Sequence, residues 1–200
     1  MIDIQKEIEK KFPNINKKDN FLKKSLFKVA KKIVHEDSIN QFLTQNAHLK
    51  GFEFVDAVLD YFDFDYTVSS SDSQNIPTSG KVVIIANHPL GGLDALCLLR
   101  LISQVRKDVK IVANDFLAGF EALNSLLIPI DNYKLRQSKN DIKKIYEALN
   151  NEEAIILFPA GEVSRATPKG IKDPAWNKGF LNFAQNSNAP ILPIFLDAKN

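Results

Sequence analysis

Residues 82–100 read VVIIANHPLGGLDALCLLR, and the interpretation of this stretch decides the rest. Val82 to Ala86 is a continuous apolar, largely β-branched run, the pattern of a strand buried on both faces of a parallel sheet. Polar chemistry begins abruptly with Asn87 and His88; Pro89, Gly91 and Gly92 supply a turn, and Leu93 to Leu101 resumes with helical spacing. A strand, a glycine turn and a helix place His88 and Asp94 at the carboxyl edge of a sheet, where open α/β folds bind ligands. Asp94 falls in the first helical turn, so an imidazole and a carboxylate six positions apart can meet across the Gly-Gly pair. That pairing suits a general base held in one tautomer by an acid partner. The Gly-Gly-Leu backbone at the helix start also offers N–H groups to an anion or an oxyanion. No serine stands where a nucleophile elbow needs one, and a histidine that merely satisfies a strand end is the competing interpretation.

Composition bounds the alternatives. A chain of 200 residues, 44% hydrophobic and 25% charged, suits one α/β domain with its own core. The single cysteine, Cys97, lies on the apolar face of the helix and reads as a small buried hydrophobe, in keeping with a reducing compartment. The N-terminus MIDIQKEIEKKF is charged where a signal peptide needs an apolar core, so secretion is not expected. Apolar runs such as Val82 to Ala86 fall far short of the ~20 residues of a membrane span, so a membrane role has to be peripheral. A net charge of +2 gives no argument for nucleic acid.

Residues 1–68 form a lysine-rich, helical front segment, and residues 81–200 the α/β body. Phe21 to His35 puts Leu22, Leu26, Val29 and Ile33 on one stripe and Lys24, Lys28, Lys31 and Lys32 on another. Such a basic amphipathic helix packs on a core or lies on an anionic bilayer. A helix is expected over Asp37 to Asn46, and the flanking His35 and His48 lack partners at metal-site spacing. Phe52, Phe54, Phe62 and Phe64, interleaved with Asp56, Asp60, Asp63 and Asp65, read as core or as the wall of an acyl channel. Ser69 to Gly80 is a loop.

Beyond the first motif, strands are expected at Val109 to Ala113, Ala154 to Phe158 and Ile191 to Leu196. Helices are expected around Gly119, from the Ser138 cap through about Leu149, and over Trp176 to Asn186. This alternation predicts an α/β fold: a largely parallel sheet flanked by helices, preceded by the helical front segment. Polar groups at three strand ends then face one edge, which gathers His88, Asp94, Arg136, Glu162 and Arg165. Only four of the 26 basic residues are arginines, and two of them, Arg136 and Arg165, follow strand ends, where a bidentate donor suits phosphate or carboxylate.

These residues resemble a known family. NHPLGGLD (87–94) resembles the histidine-aspartate block of the lysophospholipid and glycerol-3-phosphate acyltransferase superfamily. FPAGEVSR (158–165) is similar to its phosphate-binding block, Leu127 to Asn132 to a further block, and Ala189 to Ile194 to its terminal strand block. The four occur in the family's order over about Val82 to Leu196. Five residues, rather than the family's usual four, separate His88 from Asp94, and Ala160 and Val163 stand where Glu and Arg are usual, with Glu162 and Arg165 displaced by two. Both departures resemble a bacterial branch labelled hemolysin; they rearrange the residues that would read a glycerol phosphate.

The resemblance implies a peripheral-membrane O-acyltransferase, with His88 as base on the acceptor hydroxyl and Asp94 orienting it. Gly161, Glu162, Ser164 and Arg165, with Asn132 and Arg136, would hold the head group of a lyso-lipid acceptor, either a lysophospholipid or a lyso-amino-acid lipid. The implied donor is a thioester of acyl carrier protein or coenzyme A, with no cofactor and no metal. The implied location is the cytoplasm, on an anionic membrane surface at the inner face of the cytoplasmic membrane. Relatives continue past the last strand, so a C-terminal part is expected to be missing. A catalytically inactive lipid-binding scaffold and a metal-dependent hydrolase built on His88, Asp94 and Glu162 are the alternatives.

Overall fold

The computed structural model describes residues 36–114, 117, 119–130, 139–168 and 170–198. The amphipathic helix expected over Phe21 to His35, the Ser138 cap, Asn132 and Arg136 lie outside the described residues. The chain divides into two compact units, Met1–Leu49 and Lys50–Asn200. The first contains helix α1 (Glu36–Gln45), closed by the Asn46 side-chain amide donating to the Phe42 carbonyl at 2.9 Å. No helix among the described residues is long and apolar enough to cross a membrane.

The second unit opens with α2 (Gly51–Tyr61), whose Phe54, Val55 and Leu59 are buried. The sequence grouped this helix with the front segment, but its apolar face packs on elements of the α/β body. Of the four phenylalanines proposed for a core or an acyl channel, Phe54 is core, Phe52 lies under the Lys107 ammonium and Phe62 is exposed. The adjacent cleft is lined instead by Asp56, Asp60, Asp65, Tyr66, Arg100, Ser103, Gln104 and Lys107, a polar wall unsuited to an alkyl chain.

A five-stranded sheet follows, built from β1 (Val82–Ala86), β2 (Val109–Asn114), β3 (Leu127–Ile130), β4 (Ala154–Leu157) and β7 (Ile191–Ile194). Its order is β3-β2-β4-β1-β7 and every pairing is parallel. The all-apolar strands β1 and β4 are buried throughout, as central strands covered on both faces should be. The edge strands read LIPI and ILPI; Pro129 and Pro193 each remove a backbone donor, which protects a sheet edge from pairing with another chain. No strand is expected from the sequence over Leu127–Ile130; the register on β2, Ile111 opposite Leu127, makes it one.

Helices α3 (Gly92–Ser103), α4 (Lys139–Asn150) and α5 (Gly179–Ser187) cover the sheet. Val83, Ile85, Val112, Ile128, Ile155 and Leu157 form one core with Ile145, Ala148 and Leu149 of α4 and Ala184 of α5. Strand alternation turns Ile84, Ile111 and Ile156 to the opposite face, and all three are fully buried, as are Leu98, Leu99 and Ile102 of α3. α5 begins three residues later than the expected Trp176, where the Asn177 side chain accepts from the Gly179 N–H at 2.8 Å. A short antiparallel hairpin, β5 (Arg165–Thr167) with β6 (Gly170–Lys172), was not foreseen.

At the amino edge of the sheet, opposite the polar strand ends, Arg106 is almost wholly buried. It forks onto Asp108 with two bonds of 2.7 Å and donates to the carbonyls of Gly80 and Glu152 at 2.7 and 2.9 Å. One guanidinium thus ties together the chain segments entering β1, β2 and β4. Arg106→Met is expected to destabilise the fold by about 1–3 kcal/mol, because it leaves the part-buried Gly80 and Glu152 carbonyls without their donor. The Arg106 guanidinium also holds the Asp108 carboxyl below its ordinary range. That contribution is present above the unfolded carboxylate value of about 3.9 and is lost as pH falls through the lower folded value. Denaturant midpoints taken across the acid range should show a shallower acid loss in the variant.

Candidate active site

The carboxyl ends of β1, β4 and β7 lie side by side, so the segments that leave them meet. Asn87 ties two of these together: its side-chain amide donates to the Leu196 carbonyl at 2.8 Å and its oxygen accepts from the Leu196 N–H at 2.7 Å. The chain then turns through Gly91 at φ +72°, ψ −129°, a conformation that penalises any Cβ; one there would also lie 3.3 Å from Val163 Cγ2.

This turn brings the imidazole and the carboxylate together as the spacing predicted. Asp94, in the first turn of α3 and 4% exposed, accepts on one oxygen from His88 Nδ1 at 3.1 Å, from the Leu90 N–H at 2.8 Å and from the Gly91 N–H at 3.0 Å. Two backbone donors and the positive end of the helix hold the carboxylate in place. Of the Gly91-Gly92-Leu93 N–H groups that the sequence offers to an anion, that of Gly91 is taken up by Asp94. The His88 ring stacks on Phe158, centroids 3.9 Å apart, which fixes its plane. Nδ1 is engaged by Asp94, and Nε2 has no hydrogen-bond partner among the described residues.

The segment after β4 closes the site from the other side. Ser164 N–H donates to the His88 carbonyl at 2.8 Å. Asp173, in the turn after β6, accepts on one oxygen from the His88 N–H at 3.2 Å and from the Ser164 hydroxyl, and on the other from Trp176 Nε1 at 2.7 Å. Gly161 makes the tight turn at φ +71°. Glu162 and Arg165 do not converge on the imidazole: one Arg165 nitrogen bonds both Glu162 oxygens at 2.7 and 2.8 Å, and both side chains are exposed. The ion pair with Glu162 raises the Arg165 pKa.

A cleft of about 520 Å³ lies next to the His88 turn, lined by Asn87 and Pro89 on either side of the histidine, though not by His88 itself, and by Ser164, Ile171, Lys172, Asp173, Trp176, Phe195, Leu196, Asp197 and Ala198. Of the expected head-group residues that are described, Ser164 alone lines it, and Lys172 is the one cation among its described lining residues. Exposed Leu90, Val163, Ile171, Trp176 and Phe195 make the surroundings apolar. Asp173 and Trp176 were missed because no periodicity marks them; the available hint was an aspartate ahead of a proline, three residues before the sole tryptophan.

One other chemistry loses its footing in this geometry. Cys97 is buried one helical turn from Asp94, and burial followed by the Asp94 charge pushes its thiol up to about 11, so it is no thiolate nucleophile at neutral pH. Among the described residues no group of three His, Cys, Asp or Glu side chains is placed to hold a metal ion, and Glu162 is turned to Arg165.

Comparison with known proteins gives the family. The family model described as acyltransferase matches residues 7–200. The chain is 30% identical over 202 residues to a lyso-glycine lipid O-acyltransferase of Phocaeicola vulgatus, with all of this chain and 70% of the relative covered. It is also 30% identical over 201 residues to the protein of the same name from Bacteroides thetaiotaomicron, with all of this chain and 72% of the relative covered. No solved structure matches it. A matching family model over nearly the whole length, on a parallel α/β sheet that presents an oriented histidine at its carboxyl edge, makes this chain a member of the acyltransferase family, an enzyme that transfers acyl groups.

Proposed function

We propose that this enzyme moves a fatty acyl group from a thioester, carried by acyl carrier protein or coenzyme A, to the hydroxyl of a lyso-lipid. The observation that carries the proposal is the His88 imidazole, bound at Nδ1 by a buried carboxylate and with Nε2 left for a substrate. Nε2 takes the acceptor's hydroxyl proton as the oxygen attacks the thioester carbonyl, while Asp94 stabilises the imidazolium that forms. Collapse of the tetrahedral adduct forms the ester and expels the thiolate, which recovers the proton from His88. No acyl-enzyme is needed.

The relatives' names support an amino-acid lipid as acceptor. Arg165 is already matched by Glu162, and Lys172 shares the cleft lining with Asp173 and Asp197, so no cluster of cations is assembled among the described residues there for a phosphate dianion. Ser164 then stands at the head-group end of the cleft, on the loop that the Gly161 turn begins, while Glu162 and Arg165 pair with each other outside the lining; Asn132 and Arg136 complete the proposed head-group set. The spacing of His88, Asp94, Glu162 and Arg165 supports a place in the hemolysin-labelled branch. Purified protein, acyl-carrier-protein or coenzyme A thioester and lyso-glycine lipid should together give the diacyl product by mass spectrometry. Release of thiol without that product would defeat the acceptor assignment.

We also infer that the enzyme works as a peripheral protein on an anionic bilayer at the inner face of the cytoplasmic membrane. The apolar rim of the cleft supports this: Ile171, Trp176 and Phe195 are exposed next to Lys172, a combination that suits the interface between acyl chains and anionic head groups. Cosedimentation with phosphatidylglycerol vesicles should weaken about tenfold in Phe195→Asp, since burying an aromatic side chain is worth roughly 1.5–3 kcal/mol. Unchanged binding would remove this face from the membrane contact.

A further inference from the structure

The reaction written above leaves the carboxylate of Asp173 without a part, although it bonds the backbone of the residue at its centre. Ser164 N–H holds the His88 carbonyl at 2.8 Å, and Asp173 holds the His88 N–H at 3.2 Å. Both backbone polar groups of His88 are thus gripped from the side of the β4 loop, while Asp94 grips the ring. Asp173 is itself fixed at both oxygens, through the Ser164 hydroxyl on one and Trp176 Nε1 on the other. It stands outside the sheet, in the turn between β6 and α5, so its removal leaves the buried strands β1 and β4 and their pairing untouched.

On the reading of His88 as the base, we propose that Asp173 is a positioning residue for this reaction. It locks the His88 turn to the loop after β4 and so sets where Nε2 lies relative to the acceptor oxygen. Two loops from neighbouring strands have no ladder to hold them in register past the strand ends, and a carboxylate accepting from both supplies that link. Displacing a base by about 1 Å costs on the order of 100-fold in rate.

The test compares Asp173→Ala, Asp173→Asn, Trp176→Phe and the double variant Asp173→Asn/Trp176→Phe in the full chain. Asp173→Ala should lower kcat by about 30–100-fold with KM for the acyl donor within about twofold. In Asp173→Asn one amide oxygen still serves the His88 N–H and Ser164, but the amide NH2 then faces the Trp176 N–H, donor against donor. Removing the indole relieves that conflict, so the double variant should recover kcat to within about threefold of Trp176→Phe alone. A residue that only supports the fold gives no such selective recovery. A second readout is independent of turnover: diethyl pyrocarbonate labelling of His88, followed by peptide mass spectrometry, should quicken several-fold in Asp173→Ala and return in the double variant.

A kcat for Asp173→Ala within about twofold of wild type, in an enzyme that His88→Ala inactivates, overturns the positioning role and leaves the base assignment standing. If His88→Ala is fully active, the base assignment itself has failed, and equal labelling of His88 in wild type and Asp173→Ala overturns the positional lock as well. Should Asp173→Ala not fold, failure of the double variant to recover kcat relative to Asp173→Asn overturns it.

Discussion

His88→Ala is expected to lower kcat for acyl transfer by about 10³–10⁴-fold while the protein still unfolds cooperatively. A lipid hydroxyl is a poor nucleophile until its proton has somewhere to go, and general-base catalysis by a positioned imidazole is worth about 10²–10⁴-fold. The upper part of that range applies because the ring is held on three sides, by Asp94 at Nδ1, by Phe158 across its face and by backbone bonds at its own N–H and carbonyl. The side chain is 16% exposed and lies outside the two sheet-covering cores, so its truncation should not cost the fold. Steady-state turnover of acyl thioester with a lyso-lipid, alongside a thermal melt, separates the two effects. Wild-type turnover in this variant would leave the site without its base, and a lost melting transition would make the result uninformative about chemistry until His88→Gln is measured.

The second large effect is expected at Asp94. Asp94→Asn keeps the shape but replaces one acceptor oxygen with an NH2 group and removes the charge that stabilises an imidazolium at His88. If the amide oxygen stays on the Leu90 and Gly91 N–H groups, it still accepts from Nδ1 but no longer as an anion. We expect kcat to fall by about 10²–10⁴-fold, with KM nearly unchanged because the carboxylate is 4% exposed and does not reach the substrate. Asp94→Ala should add a stability loss of about 1–3 kcal/mol or more, since it leaves the Gly91 and Leu90 donors unmatched at a buried turn. Comparing the two variants by turnover and by denaturant midpoint distinguishes the charge from the turn. A Asp94→Asn enzyme with full activity would show that orientation of His88 does not depend on this carboxylate.

Much of the fold was legible because buried parallel strands have to be apolar on both faces. Val82 to Ala86 and Ala154 to Leu157 could be placed from their residues alone, and so could α4, with Ile145 and Leu149 one helical turn apart. β3 was not recognised, because LIPI with its proline gives a weak strand signal until a partner supplies the register. The β5-β6 hairpin escaped for a related reason: its strands are three residues long and largely exposed, so no alternation of apolar and polar residues marks them.

The His88–Asp94 contact belongs to what the sequence determined by itself: a strand end, a glycine turn and a helix start bring positions 88 and 94 together whatever the rest of the chain does. What surrounds that pair was decided by the tertiary structure alone. Sheet order sets β4 and β7 on either side of β1, and this brings Phe158, Ser164 and Leu196 to the histidine from about 70 to 110 positions away. The same packing turns Arg165 onto Glu162 and puts Asp173 under the His88 backbone, contacts that no local period encodes because they depend on which strand ends are neighbours.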